Sequence, residues 1–356
     1  MALFDFLKKH DRVATLLPAN QSLTVPAGEK LLNAALDAGL DWPHDCRVGS
    51  CGKCRCTLKE GNIKPLADFS YTLNQAELQA GMILACQSQL KTDVCVEITL
   101  GGNATAVDNV TGTIAAIREL THDIREVEIR LATKGFEHAK AGQYLEISHE
   151  ATSNPRSYSL ARKPSTEGME VVTFAIRHVP GGEFTDWLFD SDRTGNEVSL
   201  KGPFGDFYLR DSQQARLLCI AGGSGLAPII ALLEQGISDG RNDNCIVLFG
   251  ARTQADLYYL DRLNALGSQW HGEFQLLPIL SDAAEDLGWH GARGLVTEAI
   301  PEIAGGSRFT NDQAYLCGPP GMIDAAILEL EKLGMPKDSI YFDKFLDASS
   351  MPAGRP

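Results

Sequence analysis

The stretch "HDCRVGSCGKCRC", residues 44–56, carries four cysteines, Cys46, Cys51, Cys54 and Cys56, within thirteen residues. So dense a group of thiols reads as a disulfide framework, a zinc site or an iron–sulfur site, and the rest of the chain separates these. The 356 residues include nine cysteines, an odd number that cannot all pair with one another. The start, "MALFDFLKKHDR", lacks the apolar core and small-residue cleavage site of a secretory signal, and no apolar run approaches the roughly 18 residues that span a bilayer. These features predict a cytoplasmic protein, in a compartment where stable disulfides are disfavoured.

Structural zinc usually takes two close pairs of ligands. Here Cys46, Cys51 and Cys54 are spaced C-x4-C-x2-C, and Cys86 follows after 31 intervening residues, with no cysteine nearer to it than Cys95. This is the order found in plant-type [2Fe–2S] ferredoxins. Gly49 and Gly52 suit a loop that must turn sharply and aim backbone N–H groups at sulfur. Cys46, Cys51, Cys54 and Cys86 are therefore the expected cluster ligands. Cys56 is surplus, and is expected to pack in the outgoing strand on the same side as Cys54. Cys95, Cys219 and Cys245 lie in apolar strands and are expected in the core. His44 reads as a surface or capping histidine. Arg47, Lys53, Arg55 and Lys59 make the loop locally basic, either as a solvated rim or as a docking patch for an acidic partner.

Working outward, residues 12–25 alternate as a β-hairpin would, and "GEKLLNAALDAGL" puts Leu31, Leu32, Ala35 and Leu36 on one helical face with Gly39 at its stop. "DVCVEITL" alternates Val94, Val96, Ile98 and Leu100 as a half-buried strand. These segments predict a ferredoxin domain over residues 1–100. "GGNATAVDN", 101–109, reads as a linker. From 110 to 210 the signals are strands separated by turns, with one helix at "FTDWLFD", which predicts a small antiparallel barrel. From 211 to 356 apolar strand, glycine turn and helix recur, as in "RLLCIAGGSGLAPIIALLEQG" and "QAYLCGPPGMIDAAILELEKLG". That is the pattern of a doubly wound parallel sheet. The expected fold class is thus multidomain, α+β and α/β. The net charge of −14, with 10 basic and 19 acidic side chains after residue 210, argues against nucleic acid as a partner.

Two motif groups fall in the later segments. "PRSYSLA" sets Arg156, Tyr158 and Ser159 on a strand, and 22 residues after Ser159 "GGEFT" supplies Gly181, Gly182 and Thr185 at a helix start. A glycine-led helix N-terminus suits phosphate, an arginine offers a bidentate fork, and a tyrosine offers a flat face for a ring. "AGGSGLAP" holds Gly222, Gly223, Gly225 and Pro228 between a strand and a helix, which is either a nucleotide loop or plain strand–helix geometry. "YLCGPPGM" ends a later strand with Cys317, Gly318 and Pro319. Ligands of such sheets gather at the carboxyl ends of strands, so the two loops should face one crevice.

Taken in this order, R-x-Y-S, G-G-x-x-T, G-G-x-G-x-A-P and C-G-P-P resemble the ferredoxin–NADP reductase superfamily. The ferredoxin segment narrows the likeness to single-chain reductases of bacterial oxygenases. "PHDCRVGSCGKC", "RSYSLA", "VPGGEFTDWLF", "DRTG" and "YLCGPPGM" are most similar to the xylene monooxygenase reductase branch, which serves a membrane di-iron hydroxylase. The resemblance implies a β-grasp ferredoxin domain, an FAD barrel and an NAD(P)H domain. It implies that Arg156 holds the FAD pyrophosphate, Tyr158 packs on the isoalloxazine, and Ser159 bonds flavin N5. Gly182 and Thr185 would cradle phosphate, Gly223 and Gly225 the dinucleotide, and Cys317 would lie beside the nicotinamide. Phe345, in "YFDKF", would return under the flavin, although the chain runs eleven residues past it.

The cofactor set has a chemical logic. Nicotinamide delivers two electrons as hydride, a [2Fe–2S] cluster accepts one, and a flavin does both. The expected function is therefore electron transfer from NADH to FAD to the cluster and on to a separate oxygenase. The client is read as a membrane di-iron hydroxylase of hydrocarbons. A Rieske dioxygenase, a soluble monooxygenase or a deoxysugar dehydratase is the alternative, and a flavin and iron–sulfur redox sensor is the non-enzymatic one. Arg252 reads either as a contact to a 2′-phosphate or as a surface charge, and the resemblance favours NADH over NADPH. The chain is expected to be a monomer that meets the membrane only through its partner. The amphipathic start, with Leu3, Phe4, Phe6 and Leu7, reads as a packed or frayed terminus or as a contact segment.

Overall fold

The computed structural model describes residues 10–44, 47, 49, 52–73, 75–100, 107–210, 216–282 and 288–345. The amphipathic start, Cys46, Cys51 and most of the stretch read as linker lie outside the described residues. The chain divides into two compact units, one within Met1–Ala106 and the other within Val107–Met351. Among the described residues no helix is long and apolar enough to cross a membrane.

In the first unit, β1 (Arg12–Leu17) and β2 (Gln21–Val25) form the expected hairpin, followed by α1 (Leu31–Asp37) and β3 (Arg55–Glu60). After them come β4 (Ile63–Pro65), α2 (Gln75–Gln79), β5 (Met82–Leu84), β6 (Ser88–Leu90) and β7 (Val94–Glu97). The main sheet runs β2-β1-β7-β3-β5, with β1 parallel to β7 and the other pairs antiparallel; β4 and β6 form a separate ribbon. Leu31, Leu32 and Ala35 of α1 are buried as their spacing predicts, while Leu36 is half-buried against the same core. A helix clasped by a mixed sheet is the β-grasp fold. Cys95 departs from expectation. Val94 and Val96 point inward, so the two-residue period turns Cys95 away from the core and leaves it half-exposed.

The second unit opens with β8 (Asp108–Glu119), β9 (Ile124–Gly135), β10 (Tyr144–Ser148), β11 (Arg156–Ser159), β12 (Met169–Arg177), α3 (Glu183–Asp190) and β13 (Glu197–Phe204). β8 starts inside the stretch read as linker. The strands run β11-β10-β13-β8-β9-β12, all antiparallel, and a bridge from Leu160 to Phe174 brings the two edges together, closing a barrel. The chain continues through β14 (Arg216–Gly222), α4 (Leu226–Ser238), β15 (Asn244–Ala251), α5 (Leu260–Gln269) and β16 (Phe274–Leu280). It ends with β17 (Ala292–Arg293), α6 (Ala299–Ala304), β18 (Gln313–Gly318), α7 (Pro320–Lys332) and β19 (Ile340–Lys344).

These last strands form a parallel sheet of order β17-β16-β15-β14-β18-β19. The order reverses between β14 and β18, which is the switch point where such sheets bind ligands. The barrel and the sheet do not have separate interiors. Ile124, Ala161 and Phe207 of the barrel pack in one apolar cluster with Leu217, Ile229 and Leu232 of the α/β part.

Candidate functional site

Cys54 and Cys86 are both buried, and hydrogen bonds bring them together. The Ala85 N–H donates to the Cys54 carbonyl at 3.2 Å, and the indole N–H of fully buried Trp42 donates to the same oxygen at 3.3 Å. The connecting loop is tied from outside. Gln87 Nε2 donates to the Arg47 carbonyl at 3.1 Å, and Thr72 Oγ1 donates to the Gly49 carbonyl at 2.5 Å. Gly49 has φ +91°, and a Cβ there would stand 2.8 Å from Gln87 Cγ, so both backbone and space require glycine.

Two buried thiols beside a clamped loop fit a centre that prefers soft sulfur ligands. Cys56 packs in the core as expected, and burial together with neighbouring Cys54 pushes its thiol up. Of the four basic side chains around the loop, Arg55 pairs with Glu77 at 2.8 Å and Lys59 with Glu97 at 2.5 Å, which neutralises part of the rim.

In the barrel, β11 presents Arg156, Tyr158 and Ser159. The Tyr158 ring packs against Phe184 of α3 and Phe174 of β12, with centroids 5.5 and 6.4 Å apart. Arg156 lies beside Glu183 and donates to the Pro155 carbonyl at 3.1 Å. Gly182 is the N-cap of α3 and makes no side-chain cap, and a Cβ on Gly181 would meet nothing within 4 Å. The Gly181 N–H donates to Asp186 Oδ2 at 3.0 Å and the Gly182 N–H to the Val179 carbonyl at 2.8 Å, so it is the space above Gly181 and the neighbouring Arg156 that fit a pyrophosphate. Thr185 is turned to another task. Its hydroxyl accepts the Val179 N–H at 3.2 Å and lies 2.9 Å from the Val179 carbonyl, so it braces the loop that carries the glycines.

At the switch point two loops interlock by backbone. Gly223–Gly225 makes a tight turn into α4, whose first turn holds buried Pro228, and Pro319 caps α7. A Cβ on Gly225 would stand 2.2 Å from the Cys317 carbonyl oxygen, and one on Gly222 2.6 Å from Met322 Sδ. Gly225→Ala must therefore push the loops apart. It is expected to cost roughly 2 kcal/mol, seen as a lowered unfolding temperature together with weakened nucleotide binding. Below this turn, Tyr258 is buried and donates its hydroxyl to the Gly223 carbonyl at 3.1 Å, which fixes the orientation of that peptide. A cavity of about 230 Å³ opens above Gly223 and Gly250, bordered by Arg252 and Asp256. This open cradle suits one nucleotide portion of a dinucleotide.

Strand β11 and the switch-point loops meet through a residue that sequence reasoning missed. Asp343 of β19 stands in register with Cys317 of β18, and Ser159 Oγ donates to Asp343 Oδ2 at 3.3 Å. Cys317 is fully buried, and burial, aided by Asp343, pushes its thiol up, so the sulfur stays protonated and uncharged. The Phe345 N–H donates to the Gly318 carbonyl at 2.9 Å, which brings the end of β19 against the "CGPP" loop. Asp343 lay in view inside "YFDKF", but only the pairing of β18 with β19 reveals its partners.

Comparison with known proteins agrees with the geometry. The 2Fe-2S iron-sulfur cluster binding domain matches residues 14–91, the oxidoreductase FAD-binding domain residues 111–208, and the oxidoreductase NAD-binding domain residues 219–327. The chain is 39% identical over 322 residues, 90% of each chain, to the xylene/toluene monooxygenase electron transfer component of Pseudomonas putida. It is 33% identical over 339 residues, 92% of this chain and 95% of the relative, to the reductase component of propane 2-monooxygenase from Mycolicibacterium goodii. The crystal structure of an Amycolatopsis cytochrome P450 reductase superposes with a TM-score of 0.81 at 29% identity, covering 95% of this chain and 99% of that one. The chain therefore belongs to the family of electron-transfer reductases that join a [2Fe–2S] domain, an FAD-binding domain and an NAD-binding domain in one polypeptide.

Proposed function

We propose that this chain draws electrons from NADH and passes them singly to a separate membrane di-iron hydroxylase that acts on hydrocarbons. The observation that carries the redox half is the bridge from Ser159 to Asp343 beside Cys317, which joins the flavin strand to the nucleotide crevice. A bound flavin would supply the change from two-electron to one-electron transfer.

The residues take these parts. Arg156, Gly181 and Gly182 hold a pyrophosphate, and Tyr158 offers its ring to the isoalloxazine. Thr185 braces the glycines rather than touching phosphate. Ser159 Oγ donates its one proton to Asp343, so toward the flavin edge it offers lone pairs and becomes a donor there only by turning away from Asp343. Gly223, whose Cβ position is open, lets the backbone approach the dinucleotide, Gly222 and Gly225 let the two loops close on each other beneath it, and Gly318 and Pro319 shape the opposite wall. Buried, uncharged Cys317 closes the end of the crevice against water, and Phe345 covers the side next to Gly318. Cys46, Cys51, Cys54 and Cys86 bind the cluster. The domain limits follow as 1–100, 110–210 and 211–356.

Asp256 supports NADH as the donor. A carboxylate near the end of the second strand accepts hydrogen bonds from a ribose diol and repels a 2′-phosphate. Cytochrome c reduction should show a kcat/KM for NADH roughly tenfold or more above that for NADPH, and equal values would remove the assignment. The 39% likeness to the xylene/toluene monooxygenase component supports the hydroxylase client. The reading also makes the protein a cytoplasmic monomer that reaches the membrane only through that partner. Purified chain mixed with membranes bearing the hydroxylase should oxidise alkyl or aromatic carbon with NADH. Coupling only to a Rieske dioxygenase, a soluble monooxygenase or a dehydratase would replace the client, and negligible cytochrome c reduction by cofactor-loaded protein would favour a sensor.

A further inference from the structure

We propose that the barrel itself takes part in nucleotide selection, through Asp123 in the turn between β8 and β9. The inference rests on the reading that NADH is the donor. The cavity over Gly223 and Gly250 is lined by Arg252 and Asp256 of the α/β part, and also by Asp123 and Arg177 of the barrel. The crevice therefore has a wall that the nucleotide-binding sheet does not supply.

Asp123 and Asp256 have parallel arrangements. Asp123 Oδ1 accepts from Thr121 Oγ1 at 3.0 Å, and its carbonyl accepts the His178 N–H at 2.7 Å, which pins the turn. Asp256 Oδ2 accepts from the Thr253 N–H and hydroxyl, both at 2.9 Å. Each carboxylate thus keeps one oxygen for its own turn and points the other at Arg252. Arg252 Nη2 lies 3.6 Å from Asp123 Oδ2 and 3.6 Å from Asp256 Oδ1. His122 Nδ1 also lies 3.4 Å from Asp256 Oδ1.

Two carboxylates face the single guanidinium of Arg252 here, while Arg177 adds a second cation to the cavity wall. A ribose diol donates hydrogen bonds to such carboxylates. A 2′-phosphate, with about −1.5 to −2 charge, reaches Arg252 only by displacing them. Arg252, which the sequence left as either phosphate contact or surface charge, is held in check by one carboxylate from each part of the unit. Removing Asp123 frees it on the barrel side.

The test uses the full-length holoprotein and two readouts. The first is the ratio of kcat/KM for NADPH to that for NADH in cytochrome c reduction. The second is calorimetric binding of 2′,5′-ADP against ADP, which does not depend on turnover. Asp123→Asn should raise the kcat/KM ratio about tenfold or more and move the binding preference the same way. Adding Arg252→Ala to Asp123→Asn should abolish the gain. Flavin content and unfolding temperature near the parental values confirm that the variants are folded. A ratio and a binding preference that stay within about twofold in folded Asp123→Asn, while Asp256→Asn shifts both, would overturn the role of Asp123 and leave selection to the α/β part alone. A parental protein that uses both nucleotides equally would instead overturn the NADH reading on which the inference rests.

Discussion

Cys86→Ala is expected to erase the iron–sulfur absorption and to stop NADH-driven reduction of cytochrome c, with losses of about a hundredfold or more. Direct reduction of ferricyanide by the flavin should persist. Cys86 sits on the turn Ala85–Gln87, whose first N–H binds the Cys54 carbonyl, so its sulfur is held by the same backbone that positions Cys54. Alanine there leaves a plant-type centre one thiolate short in a buried place that water reaches poorly. Cys56→Ala is the matched control, because its sulfur is equally buried, lies two residues from Cys54 and has no assigned ligand role. It should keep the chromophore and cost about 1 kcal/mol from the small cavity left behind. A retained chromophore in Cys86→Ala, or a lost one in Cys56→Ala, would exchange the two assignments.

Ser159→Ala is expected to slow flavin bleaching by NADH about a hundredfold, the usual cost of removing one well-placed hydrogen-bond donor at a reacting centre. Anaerobic stopped-flow measures this step apart from the cluster. FAD content should stay near parental, because Arg156 and the glycines at the start of α3 carry phosphate recognition. Asp343→Asn should slow the same step and alter its pH profile, since the amide oxygen accepts the serine hydroxyl more weakly than a carboxylate does and does not ionise. Parental bleaching rates in both variants would show that the bridge from Ser159 to Asp343 is structural packing and not part of hydride transfer.

The sequence was most readable where function lies in local order. The spacing of Cys46, Cys51, Cys54 and Cys86 named the cluster type, and the glycine turns at Gly222–Gly225 and Gly318 were visible as breaks between apolar runs. The change from alternating runs to continuous apolar runs near Arg216 separated an antiparallel barrel from a parallel sheet. What escaped depends on pairing across long separations. Asp343 reaches Ser159 across 184 residues and Tyr258 reaches Gly223 across 35. Asp123 meets Arg252 only because the β8–β9 turn closes over the crevice. Thr185 shows a further limit, because a hydroxyl at a helix start serves a ligand, its own loop or both, and spacing does not distinguish these. Cys95 could have been placed correctly, since the inward valines on either side already fixed its direction.

The apolar cluster shared by Ile124 and Phe207 with Leu217 and Ile229 has an evolutionary consequence. Parted from one another, the two halves would each leave a raw hydrophobic wall open to solvent, so neither is a module that recombination can trade alone. The division into units falls at Val107 instead, so a fusion made there would carry barrel and sheet together as one piece.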